Sequence, residues 1–454
     1  MSVWRYSHPA YVAQDQKVQT MQAYPQQDTF PQQDPVEAVQ VEADGEDVVP
    51  STSVGACSEV RSPMDFGAKG DGHQDDSEFV REAIWHGIRC NTTVLIGPWR
   101  RSFLVMPNVL EVTAENLVIL FEGQLVGPTL EAWNPQQDTW PKGSCAYAEA
   151  DCHKSGGQSP EFARSQWSLL FFRNCHNVTL LGARGPHGHL EGGLRAHGPS
   201  FWRVRNQRPQ VRGYCLLKMD SCEGMRISDL HFHDSPMYQV VVARSHGVEL
   251  EGLRITLSNQ ALGDQGAHNT DGINILNSSQ VWLRQSVIES GDDNVVVKEG
   301  SSDIYGEGLQ LRRGKGVSIG SLGERESEGQ EVTNVAFHNV SADRSVHGVR
   351  IKTWKGARGL VQNASFQHFK TADVMIGILI DQTYCPPSQR PEGCAMEDPA
   401  AAIRIQQVRF RDFTGTYQQA DRKVLCTACS DVSYEQIDLR PAAPRGLQHG
   451  NRFR

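Results

Sequence analysis

The sequence predicts an all-β chain wound as a single-stranded right-handed parallel β-helix, and three observations carry that expectation. First, a short motif recurs from about residue 175, a small or polar residue followed by three to six alternating β-branched or apolar positions. Instances begin at Asn177, Gly224, Gly247, Gln280, Asp303, Asn334 and Asp431, with spacings of 47, 23, 33, 23, 31 and 97 residues. These scatter about a unit of roughly 23 residues, or multiples of it, with loop insertions. Second, helical periodicity is nearly absent from this stretch. Third, the Asn-Gly hairpin signals that a sandwich or propeller needs every 8–12 residues or so are scarce.

A unit this short cannot bury its apolar face alone, so units stack in parallel around one interior. Their strands then lie about 4.7–4.9 Å apart. Insertions become loops on one side, where a cleft can form.

Composition supports a globular body. Hydrophobic residues make up 39% of 454. Counting glycine and omitting tyrosine gives about 46%, inside the ordinary globular range. Wholesale disorder is excluded. No apolar run approaches the ~18 residues of a spanning helix, so no membrane partner is expected. A net charge of −9 offers no basic excess to gather phosphates, which argues against nucleic acid.

The charge is concentrated. Residues 1–60 hold nine acids against Arg5 and Lys17, a balance of −7, and repeat Pro-Gln-Gln-Asp at 25–28 and 31–34. This segment reads as a disordered acidic leader. The β-helix domain is expected over 61–440 and a C-terminal tail over 441–454. The Trp133–Gly157 stretch fits no coil and reads as an insertion loop.

Eleven cysteines include the local pairs Cys145/Cys152, Cys215/Cys222, Cys385/Cys394 and Cys426/Cys429. Sequons begin at Asn91, Asn177, Asn277, Asn339 and Asn363. Both facts suit an extracellular protein, although the first thirty residues lack the apolar stretch of a signal peptide. Cys426/Cys429 could be half a zinc site, but no second pair has matching spacing, so a short disulfide is expected. The odd count leaves at least one thiol unpaired, and Cys57 is the simplest choice.

The polar clusters repeat at the coil spacing. Asn269-Thr270-Asp271-Gly272, Gly291-Asp292-Asp293-Asn294, Gly314-Lys315-Gly316 and Arg350-Ile351-Lys352 interrupt the apolar rhythm. Asp271 to Asp292 is 21 residues, Asp293 to Lys315 is 22, and Lys315 to Arg350 is 35, one coil plus an insertion. A β-helix therefore lines up three carboxylates, an ammonium and an Arg/Lys pair along one strip. Crowded carboxylates raise the proton affinity of at least one of them. One protonated and one ionised carboxyl equip a site for glycosidic hydrolysis. Neighbouring cations suit an acidic substrate.

These clusters resemble the polygalacturonases of glycoside hydrolase family 28. The resemblance includes Ser290-Gly291-Asp292-Asp293, Gly316–Gly323, Gly348–Trp354, the stretch Asp65–Gly72 with Asp75-Asp76, and Ile380–Cys385. It runs from about 60 to 440. It implies a right-handed β-helix that cleaves α-1,4-linked galacturonan with inversion, without metal or cofactor, as an extracellular monomer acting on an acidic polysaccharide. It further implies Asp292 as general acid and Asp271 and Asp293 as activators of water. Asn269, Arg350, Lys352 and Tyr384 would hold galacturonate, and Lys315 would meet a substrate carboxylate.

Two departures from the family pattern stand out. Lys315 occupies a turn where the family usually has His, and Lys does not exchange protons near neutral pH. His268 and His347 lie beside the matched motifs and could compensate. Asn294 stands where Cys is common, and Leu311–Arg313 lacks the partner, so no orphan thiol results. Two other functions remain open: a non-catalytic β-helix that binds acidic polysaccharide, and a hydrolase of rhamnogalacturonan or substituted pectin.

Overall fold

The computed structural model describes residues 57, 59–133, 167–185, 188, 190–205, 213–258, 267–323, 330–385 and 401–443. The leader expected over 1–60, the Trp133–Gly157 loop with Cys145–Cys152, Cys394 and the 441–454 tail lie wholly or largely outside these residues. Gly55–Arg454 forms one compact unit. Among the described residues, 26 strands join through parallel pairings, most of them to the strand three places further along the chain. They wind a right-handed parallel β-helix.

A left-handed residue opens each repeat. Asn177, Gly224, Gly247, Gln280, Asp303, Asn334 and Asp431 all have φ between 50° and 66°. The pairing register stacks them in one column. Only Gly or a short polar side chain visits this conformation at low cost, which explains the small or polar residue opening each motif. The 97-residue gap in the sequence pattern contains two further units, turning at Asn363 and Gln407.

The alternating positions after each turn fill the interior. Phe337, Phe366 and Phe410 stack on consecutive coils, with centroids 6.2 and 5.3 Å apart, and Tyr434 continues the column at 5.3 Å. Helix Ser77–Cys90 packs against the first strands at the N-terminal end. It buries Val80, Ala83, Ile84 and Gly87, the i, i+3, i+4, i+7 face of an amphipathic helix.

Two cysteine expectations are corrected. Cys57 is not free, because it is bridged to Cys90 at the end of that helix. Cys215 and Cys222 do not pair, and both are buried thiols. Cys215 opens strand Cys215–Asp220 and Cys222 lies beyond its end. Extended backbone of about 3.3 Å per residue holds them far outside the ~7 Å reach of a disulfide. Cys222 instead neighbours Cys175 on the adjoining coil. Cys426 and Cys429 are bridged as expected, and Cys385 is disulfide-bonded.

Candidate active site

Five strand segments of one sheet carry the site. Ile273–Leu276, Val295–Val297, Val317–Leu322 and His347–Trp354 pair in order with the later part of Leu360–Tyr384. Ile273, Val295, Val317, Val349 and Ile378 enter the core. The alternate residues therefore face outward, and one outward column reads Asn274, Val296, Ser318, Arg350, Leu379. Asp271 and Asp293 precede paired Ile273 and Val295 by the same two residues. They sit at the turns that enter this sheet.

Asp293 is the most firmly held carboxylate. Arg350 Nη2 lies 2.6 Å from Oδ1, Lys352 Nζ lies 3.0 Å from Oδ2, and Ser318 Oγ donates to Oδ1 at 2.7 Å. Arg350 Nε also donates to Ser318 Oγ at 3.3 Å. Burial pushes the Asp293 carboxyl up, but Arg350 and Lys352 outweigh it and hold the group far below the usual carboxylate range. Burial and Arg350 bring the Lys352 ammonium down to about 8. Its Nζ lies 5.3 Å from the centre of the Tyr384 ring.

Asp292 takes a different partner. Lys315 Nζ lies 2.7 Å from its Oδ1. The backbone N–H of Asp293 donates to Oδ1 at 3.0 Å and that of Asn269 to Oδ2 at 3.3 Å. Burial again opposes the charge, and Lys315 leads the groups that overcome it, so Asp292 stays below its ordinary value. Asp271 is the exception. Among the described residues it accepts one side-chain hydrogen bond, from neutral Asn274 Nδ2 at 3.1 Å. Burial, then the charges of Asp292 and Asp293, push its carboxyl up to about 8.

The turns are built to allow this crowding. Lys315 sits between Gly314 and Gly316, at φ 61° and 75°. A Cβ on Gly316 would come within 2.2 Å of the His347 carbonyl oxygen. Asn294 is fully buried. Its Oδ1 accepts from Gly316 N–H at 2.8 Å, and its Nδ2 donates to the carbonyls of Ile288 and Arg312 at 2.9 and 3.2 Å. Three hydrogen bonds thus tie together the segments that a bridge could join. Asn269, with φ 56°, reaches Asp292 through its backbone rather than its side chain.

The structure therefore gathers Asp271, Asp292, Asp293, Lys315, Arg350, Lys352 and Tyr384 around one place, with Asn269 at its edge. Ser318 and Asn274 were missed by sequence reasoning. Their signal was a polar residue on the outward phase of an apolar strand, in Val317-Ser318-Ile319 and Ile273-Asn274-Ile275. His347 is buried beside the site, and burial followed by Arg350 keeps its ring neutral. Among the described residues no cluster of His, Cys, Asp and Glu has the arrangement of a metal site. A site with two ionised carboxylates, one protonated carboxyl and adjacent cations can transfer protons to and from an anionic substrate.

A family model described as glycosyl hydrolases family 28 matches residues 159–447. A probable polygalacturonase of Arabidopsis thaliana is 27% identical over 356 residues, 77% of this chain and 66% of that protein. A polygalacturonase of Malus domestica is 26% identical over 388 residues, covering 83% and 73%. The solved endo-xylogalacturonan hydrolase from Aspergillus tubingensis has a TM-score of 0.67 at 19% identity, covering 84% of this chain and 93% of that one. This last likeness speaks for the fold alone. The chain spans about two thirds of the length of the first relative.

Proposed function

Because the chain belongs to glycosyl hydrolases family 28, we propose that it hydrolyses α-1,4-galacturonosyl linkages of pectin, with inversion, by general acid–base catalysis. The observation that carries this is the meeting of three carboxylates from neighbouring coils with Arg350 and Lys352, at 2.6 and 3.0 Å from Asp293. Relatives named as polygalacturonases support the substrate.

Matched position by position to the family motif, Asp292 would protonate the leaving oxygen while Asp271 and Asp293 activate water. Lys315, Arg350, Lys352, Tyr384 and Asn269 hold the galacturonate, whose carboxylate suits a guanidinium fork and point-charge ammonium groups. The disulfides Cys57–Cys90 and Cys426–Cys429 fit an oxidising, extracellular setting.

A second reading rests on one contact. The Lys315–Asp292 ion pair at 2.7 Å opposes protonation of the residue that the resemblance makes the acid, which favours binding without cleavage. Chromatography of products from a defined galacturonan separates the two. Released oligogalacturonate of inverted anomeric configuration supports the hydrolase. Binding without any new reducing ends overturns it.

A further inference from the structure

Resting on the reading of this site as an acid–base hydrolase, we infer that Asn274 positions the hydrolytic water, holding it against Asp271 through the side-chain carbonyl oxygen. Asn274 takes the outward phase of Ile273–Leu276, because Ile273 and Ile275 enter the core. Its side chain therefore lies on the floor of the site, and it is fully buried. Nδ2 contacts Asp271 Oδ2 at 3.1 Å. Oδ1 is sealed from solvent and has no hydrogen-bond partner among the described residues.

The neighbours explain why no protein group serves that oxygen. In the same outward column Val241 precedes Asn274 by one coil and Val296 follows it by one. Both are buried, and neither side chain can donate. Ser318, the next residue of the column, already gives its hydroxyl proton to Asp293 at 2.7 Å. Turning the amide over would set a carbonyl against a carboxylate oxygen and leave Nδ2 among the valines. A buried carbonyl without a donor is costly, and an ordered water is the usual remedy.

The distances suit one water that serves both groups. Covalent geometry puts Oδ1 about 2.3 Å from Nδ2, so it lies at most about 5.4 Å from Asp271 Oδ2. Two hydrogen bonds of about 2.8 Å each span that gap. The water donates one proton to Asn274 and the other to Asp271, which leaves its lone pairs to face the anomeric carbon. With Asp271 as sole acceptor it would turn about one bond, and its lone pairs would lack a fixed direction.

Asp271 is also the carboxylate with capacity to accept from water. Asp293 is taken up by a guanidinium, an ammonium and a hydroxyl. Asp292 is taken up by an ammonium and two backbone N–H groups. Asp271 receives one side-chain donor among the described residues, the Asn274 amide itself. Burial and the two neighbouring carboxylates raise its proton affinity, which favours proton transfer from water to its ionised form.

The step balances. The water oxygen bonds to the anomeric carbon as Asp271 takes one of its protons. The bond from that carbon to the bridging oxygen breaks, and the Asp292 proton passes to the departing oxygen. Turnover leaves Asp271 protonated and Asp292 ionised, and one proton passing from Asp271 to Asp292 through solvent restores the site. Asn274 gains and loses nothing; it fixes a direction.

The test is Asn274→Ala, assayed on polygalacturonate. Misplacing a reacting atom by about 1 Å can cost about 10²-fold, so kcat is expected to fall about 10–10²-fold. KM should stay within about twofold, because Arg350 and Lys352 still meet the substrate. An unchanged kcat, or a loss carried by KM, overturns the inference. A second measurement needs neither turnover nor a variant. A crystal structure of the wild-type chain should show one ordered water within about 3.2 Å of both Asn274 Oδ1 and an Asp271 carboxyl oxygen. An Oδ1 that is dry, or that meets a protein donor, overturns it as well. A wild-type chain inactive on every galacturonide sinks the proposed hydrolase reading, while the crystal still decides whether Asn274 holds the water.

Discussion

Replacing Lys315 by Met removes the ammonium 2.7 Å from Asp292 Oδ1. Asp292 keeps its two backbone donors, at 3.0 and 3.3 Å, against burial and the adjacent charge of Asp293. An opposite charge this close lowers a carboxyl by about 1–3 pH units, and each unit is about 1.36 kcal/mol. The contact therefore supplies about 1.4–4 kcal/mol in favour of ionised Asp292. The Lys315 side chain is 31% exposed, and solvent screening places the effect in the lower half of that range. The assay is release of reducing ends from polygalacturonate, followed as kcat/KM over about pH 3 to 8, because this quantity reports groups of the free enzyme. In Lys315→Met the limb set by Asp292 is expected to rise by about 1–2 pH units. Lys315→His restores the wild-type limb below about pH 6.5, where His is charged. A limb that stays in place in a variant with native thermal unfolding refutes the ion pair as the force that keeps Asp292 ionised.

Other outcomes follow from the same contacts. Asp271→Asn alters the pH dependence of stability. A carboxyl raised from 3.8 to about 8 costs nothing below its unfolded value. It then lowers wild-type stability as pH rises through that window, by at most about 1.4 kcal/mol per unit. Urea unfolding should show the variant gaining on wild type up to about pH 8, and parallel curves would contradict the raised carboxyl. Arg350→Met leaves Asp293 buried with only Lys352 as a charged partner and should cost about 3–5 kcal/mol in denaturant unfolding. An unchanged midpoint would show that Arg350 serves substrate alone. Cys57→Ser opens a loop closed across 33 residues and should cost about 3–4 kcal/mol on the chain-entropy account, read as a lower thermal midpoint without reductant. Equal midpoints would count against the bridge.

The fold was legible because its signal is local and repeated. A left-handed turn at Asn177 or Gln280 demands a particular residue type, and the strand after it demands alternation, so both leave marks in sequence. The pattern faded where the turn residue was less distinctive. Gln407 and Asn363 make the same turn as Asp431, yet they were passed over and their three intervals merged into one. The cysteine pairing was harder because a disulfide depends on which coils adjoin. Cys222 is near Cys215 in sequence and near Cys175 in space. Asn294 shows the same limit. Its absence of sulfur was readable, but its three hydrogen bonds across the turns were not.

The site was legible to within one residue, and that residue decides its chemistry. The step from Asp271 to Asp293 is 22 residues, matching the 22-residue register between Ile273 and Val295, so these two occupy equivalent positions. Asp292 is one place earlier at the turn. Adjacent residues in such a turn project differently, so Asp293 reaches Arg350 and Lys352 while Asp292 reaches Lys315. A stack of equivalent carboxylates alone would be a repulsive column with no assigned roles. The offset gives each aspartate its own partners: two cations for Asp293, one for Asp292, and a neutral amide for Asp271. Lys315 contacts Asp292 directly and reaches Asp293 only through space, so a substitution at 315 acts chiefly on one of the three without disturbing the coils that hold them.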